Sequence, residues 1–132
     1  MQKLAILFCL ISTPALAASE WDCLFTDLHS QPGGTAHATI RIEGKKLEWI
    51  VDGFDVPGSG NQVPASSFSY TVLEDNDFGL VAVSPRMKID KDAGPIIGSG
   101  TIALDKKNGQ FRSGTVLTNG VHDNLNGTCK VK

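Results

Sequence analysis

The chain has 132 residues, with 12 lysines and arginines against 14 aspartates and glutamates, a formal net charge of −2 and 41% hydrophobic residues. It has no basic run and no interleaving of basic with aromatic residues, which excludes a nucleic-acid footprint, and no lysine-rich amphipathic helix suited to a membrane surface. A chain of this length makes one domain with a modest core.

The first twenty residues read MQKLAILFCLISTPALAASE. Lys3 supplies a positive charge, residues 4–11 an apolar core, and Ala15-Leu16-Ala17 a small-x-small cleavage site. These are the parts of a secretory signal peptide. The apolar stretch is too short to span a bilayer, and no second one follows it. Cys9 lies mid-way through that core behind bulky Phe8, so it leaves with the leader rather than taking a lipid. Residues 1–17 are expected to be removed. Residues 18–132 are then a single exported domain, periplasmic or secreted, with no membrane insertion.

Cys23 and Cys129 are the cysteines left after cleavage. In an oxidising compartment they are expected to pair. A disulfide needs Cα atoms within about 7 Å, so the first and last segments of the domain must be neighbours.

Beyond the leader no long stretch has helical periodicity. Short alternating runs between turn signals predict eight strands, near 20–28, 35–42, 46–51, 68–73, 78–83, 96–104, 110–117 and 124–131. The first places Trp21, Cys23 and Phe25 on one face. The second sets Ala36, Ala38, Ile40 and Ile42 against Thr35, His37, Thr39 and Arg41. The third has Leu47, Trp49 and Val51 on its apolar side, the fourth Phe68, Tyr70 and Val72, and the last Leu125, Gly127, Cys129 and Val131. Both cysteines therefore fall on the apolar faces of their strands. The expected fold is all-β, a small eight-stranded antiparallel up-and-down barrel whose N- and C-terminal strands are joined by the disulfide. A β-sandwich with the bridge between its sheets is the alternative. Gly98, Gly100 and Gly114 fall inside strands, where they allow tight curvature or room for a tryptophan.

In a meander, alternate connections share an end. Connections 43–45, 74–77 and 105–109 are short, and LDKKNGQF reads as a tight hairpin with Asn108-Gly109 supplying the positive-φ position. Connections 29–34, 52–67, 84–95 and 118–123 carry nearly all the irregular chain and gather at the opposite end. Long loops in compact domains are where binding residues concentrate. The longest, DGFDVPGSGNQVPASS, has Phe54 and Val56 as apolar residues in a polar segment, and Gly58, Ser59 and Gly60 at its tip. Phe54 either anchors a partner or folds back as a plug for the barrel mouth.

Candidate chemistry is sparse. Gly58-Ser59-Gly60 and Gly98-Ser99-Gly100 are not nucleophile elbows between strand and helix, and oxidised cysteines cannot be nucleophiles. The acidic turns at 75–79 and 90–94 lack the later ligands and closing glutamate of a calcium loop. By strand parity the acids, such as Asp22 and Glu48, point outward, so paired-carboxylate chemistry would need a rim site with Asp52 or Asp55. Asn126-Gly127-Thr128 matches a glycosylation sequon, but it sits inside a strand beside a disulfide cysteine. Ser19-Glu20-Trp21 lacks the glycine of the Gly-x-Trp signature of typical lipocalins, so likeness to that family stops at the architecture.

The expected function is non-enzymatic binding, with no cofactor. The leading expectation is recognition of a protein, for instance inhibition of a secreted hydrolase, through the loop residues Phe54, Asp55, Val56, Gly58, Ser59, Gly60, Asn61 and Gln62. The runner-up is carriage of a small apolar ligand inside the barrel, with Trp21, Trp49 and Tyr70 lining the pocket. A third reading, a rim-sited metal hydrolase, would draw on His29, His122 and Asp123. N-terminal sequencing of the exported protein is expected to begin at Ala18; a chain that still begins at Met1 outside the cytoplasm would remove the leader reading.

Overall fold

The computed structural model describes residues 18–27, 35–55, 60–92, 94–120 and 122–132. The expected leader, residues 1–17, lies outside the described residues. Ten strands follow one another: β1 (Ser19–Asp27), β2 (Ala36–Glu43), β3 (Lys46–Val51), β4 (Phe54–Asp55), β5 (Gln62–Val63), β6 (Ser66–Asp75), β7 (Gly79–Asp90), β8 (Gly94–Asp105), β9 (Gln110–Leu117) and β10 (His122–Val131). Eight of them form a closed antiparallel barrel in the order β1-β10-β9-β8-β7-β6-β3-β2, and β4 pairs with β5 alone. The up-and-down barrel is therefore the architecture, and the sandwich is not.

Closure runs through β1 and β10, where Trp21 pairs with Val131, Cys23 with Cys129 and Asp27 with Leu125. Cys23 and Cys129 form the expected disulfide, their Cα atoms 4.0 Å apart across 106 residues of sequence. Both are buried. The bridge thus joins the two chain ends on the inner face, as strand parity required.

The same parity fills the interior. Ile40, Leu47, Leu80, Ile102 and Leu104 are fully buried and make the end with short connections solid. Each such side chain contributes about 1.5–3 kcal/mol relative to exposure, an upper figure because the unfolded chain is partly collapsed. Above them lies an aromatic layer. The Trp49 ring sits 4.4 Å from that of Phe111 and 5.5 Å from that of Phe25, tilted against both. Trp21, also buried, lies nearer the short-connection end, and its Nε1 has no hydrogen-bond partner among the described residues.

The short connections are tied by local hydrogen bonds. Asp105 Oδ1 accepts from the amides of Lys107 and Asn108, and Gly109, at φ 73°, donates its amide to the Asp105 carbonyl at 2.8 Å. Asn76 Oδ1 accepts from the amides of Phe78 and Gly79. Lys106 pairs with Asp75 between these two turns. On the outer wall Glu20, Arg41, Glu48 and Lys46 alternate in sign across β1, β2 and β3, with Arg41–Glu20 and Lys46–Glu48 both at 2.7 Å. Hydrogen bonds from Arg41 and Lys46 hold the Glu20 and Glu48 carboxyls below their ordinary range. Such exposed pairs add little stability.

Two expectations need correction. The fourth barrel strand is longer than 68–73, running Ser66–Asp75 with a bulge between Val72 and Glu74 that leaves Leu73 exposed. More consequentially, 84–95 is not a twelve-residue loop. β7 and β8 are 12 residues each, paired without a break from Gly79↔Asp105 to Asp90↔Gly94. Pro85 reads as a loop residue because it cannot donate to a ladder. Here it lies just beyond the last β6–β7 pair, Thr71↔Val83, while its partner on β8 is Ser99. The proline therefore sits where β7 has already left β6. As a result the β7–β8 hairpin stands above the rim.

Replacing Cys23 and Cys129 together by alanine is expected to lower stability by roughly 2–5 kcal/mol, against about 4–5 kcal/mol from the chain-entropy treatment of so long a loop. Denaturant unfolding of the two forms checks this; an unchanged midpoint would mean that the β1–β10 ladder alone holds the ends.

Candidate ligand site at the open end of the barrel

The barrel is not solid throughout. Above the aromatic layer a cavity of about 440 Å³ opens toward the end that carries the longer connections. Its floor and walls are Phe25, Trp49, Val51, Phe68, Tyr70, Leu117 and Leu125, and Phe54 reaches it from the long loop. Small-molecule sites commonly occupy roughly 300–1,000 Å³ and combine apolar walls with a few placed polar groups. The polar groups here are Arg86 and Lys88 from β7, and Ser113 and Thr115 from β9. No acidic side chain lines the cavity among the described residues.

Period-two parity explains how these side chains arrive. On β7, Leu80, Ala82 and Ser84 are buried at alternate positions, and continuing the alternation upward brings Arg86 and Lys88 to the same face. On β9 the alternation from buried Phe111 brings Ser113, Thr115 and Leu117 inward. On β3 and β6 it brings Trp49 and Phe68, which are register partners. On β7 and β9 the inward face thus changes from apolar to polar as the strands climb, while on β3 and β6 it stays largely apolar.

Arg86 is the most constrained of the polar groups. Its Nη2 donates to Tyr70 Oη at 2.7 Å. Its guanidinium carbon lies 5.0 Å from the Phe68 ring centroid and 5.3 Å from that of Tyr70, within the range of a cation–π contact with each. Gly100, on β8, is what makes room. A Cβ there would meet Arg86 Nε at 3.0 Å, Nη2 at 3.2 Å and Tyr70 Cε1 at 3.4 Å. Strand glycines were expected to permit curvature or accommodate a tryptophan; at Gly100 the group accommodated is an arginine with its tyrosine. Among the described residues Arg86 has no carboxylate partner within ion-pair distance.

The long loop is partly folded. Phe54 pairs with Val63 and Asp55 with Gln62 in the β4–β5 hairpin, and Gln62 Nε2 donates to Asp55 Oδ1 at 3.2 Å. Asp52 donates its amide to the His37 carbonyl at 2.9 Å, which fixes the base of the loop to β2. Phe54 is half-buried and packs against the core, in the manner of the plug rather than of an exposed anchor. Asp55, Gly60, Asn61 and Gln62 are exposed, while Val56, Gly58 and Ser59 lie outside the described residues.

Of the three residues expected to line a pocket, Trp49 and Tyr70 border the cavity and Trp21 is not among its lining residues. Of the metal candidates, His29 lies outside the described residues, as do the side chains of His122 and Asp123. The backbone of those two opens β10 opposite Val116 and Thr115. Arg86 and Lys88 were missed because their segment was assigned to a loop. The available signal was the continued alternation from Leu80 through Lys88 across Pro85.

A second surface adjoins the mouth. On the β7–β8 hairpin Met87, which also borders the cavity, is 75% and Ile89 80% exposed, and Met87 pairs with Ile97, itself exposed. No family model, curated protein or solved structure matches this chain.

Proposed function

We propose that this protein is an exported, non-enzymatic binding protein that holds a small ligand in the open end of its barrel. The observation that carries the reading is the cavity of about 440 Å³, walled by aromatic and aliphatic side chains and supplied with Arg86. A barrel packed to its rim would bury the same aromatics with no such space. Export is supported by the leader read in residues 1–17, and the Cys23–Cys129 bridge is consistent with an oxidising compartment. The long loop acts in this reading as a cover, since Phe54 closes one side of the cavity.

Recognition of a protein partner is the second reading, favoured by the exposed apolar pair Met87 and Ile89 on the projecting hairpin. Exposed apolar patches beside a site commonly mark an interaction surface. Inhibition of a secreted hydrolase belongs to this reading, with the hairpin joining the β4–β5 loop as the contact element.

A native mass spectrum of the protein, purified gently from its own exported fraction, separates the two. The ligand reading expects additional small-molecule mass that leaves on collisional activation and is absent from a Trp49→Ala variant. A bare chain at every activation energy counts against it and directs attention to the hairpin. There, paired Met87→Lys and Ile89→Lys substitutions are expected to abolish partner capture while leaving the melting temperature within a few degrees; unchanged capture would remove the second reading.

A further inference from the structure

We infer that the ligand is a small amphipathic monoanion, an apolar or aromatic body bearing one carboxylate, with Arg86 as its anion anchor. The inference rests on the ligand reading above and specifies its chemistry.

A guanidinium has five N–H donors, and Tyr70 Oη takes one. The group lies against the Phe68 and Tyr70 rings, beside a strand position where a Cβ would crowd it at 3.0 Å. That fixes its orientation before any ligand arrives, so little rotamer entropy is lost on binding. Ion pairs elsewhere on the surface engage Arg41, Lys46, Lys106 and Lys132 with carboxylates, but none engages Arg86 among the described residues. An arginine that lines an apolar cavity with no carboxylate partner among the described residues is matched by a carboxylate from a ligand. The planar fork suits that group by paired hydrogen bonds.

The remaining lining sorts the ligand's other end. Trp49, Phe25, Val51 and Leu125 offer only apolar surface to its body. Ser113 and Thr115, on β9 with only β8 between it and β7, can donate hydroxyl hydrogens to the same anion or to a substituent beside it. Lys88, two residues up β7 and exposed, adds positive potential at the rim and would steer an anion inward. A phosphate dianion fits less well, because transferring two charges from water to this largely apolar site costs more than a single guanidinium returns.

Isothermal titration of the intact oxidised protein with octanoate, octanol and octyl phosphate tests the assignment. Octanoate is expected to bind about tenfold or more tightly than octanol, the order expected for a hydrogen bond to a charged group. Arg86→Met is expected to bring octanoate down to the octanol level and to leave octanol unchanged. Arg86→Lys, which keeps the charge and is the safer variant for folding, should recover part of the difference. Equal binding of octanoate and octanol by the unaltered protein would overturn the anion assignment and leave the cavity reading standing. Tighter binding of octyl phosphate than of octanoate would overturn the carboxylate. Binding of none of the three would overturn the inference together with the ligand reading beneath it.

Discussion

Closure of the barrel through β1 and β10 is the constraint on which the rest depends. Without it the two strands would be open edges, with unpaired amides and carbonyls on a sheet too small to cover them. With it, every barrel strand has a neighbour on both sides, and all inward-pointing positions converge on one axis. The disulfide reinforces this at the place where loss of pairing would be most damaging, since the ladder it crosses joins residues 106 apart in the chain. The interior could not divide into a packed end and a cavity unless the wall were continuous.

That division is made by three rings. Trp49, Phe25 and Phe111 come from β3, β1 and β9, separate parts of the wall, and meet in a layer across the barrel. Toward the short turns the aliphatic side chains interdigitate, as in any well-packed core. Toward the long connections the inward positions become Arg86, Ser113 and Thr115. Stability is thereby concentrated in one half, which leaves the other free to carry polar groups that would be costly in a sealed core.

Much of this was legible in the residues. Period-two alternation in β1, β2 and β3 identified inward faces that the structure buries, and the placement of Cys23 and Cys129 on apolar faces implied an inward bridge between chain ends. Asn108-Gly109 marked its turn correctly. What was not legible depended on contacts between distant segments. The inward role of Arg86 becomes apparent only once Phe68, Tyr70 and Gly100, which lie on other strands, surround it. Pro85 obscured the strand because its cost depends on whether a neighbouring strand needs the missing donor, and that is a property of the sheet. Trp21 and Trp49 share the same alternating pattern, yet only Trp49 borders the cavity, a difference that parity does not encode.

The early parting of β6 and β7 has a consequence for motion. Their ladder stops at Thr71↔Val83, although β6 extends back to Ser66 and β7 on to Asp90. Above that point the two walls are joined by a side-chain bond from Arg86 to Tyr70 instead of a run of backbone bonds. Segments with few backbone bonds open at lower free energy than the body of a sheet. The barrel therefore has a seam that can breathe while its disulfide-closed side stays shut, and the latch on that seam is the same arginine that faces the cavity.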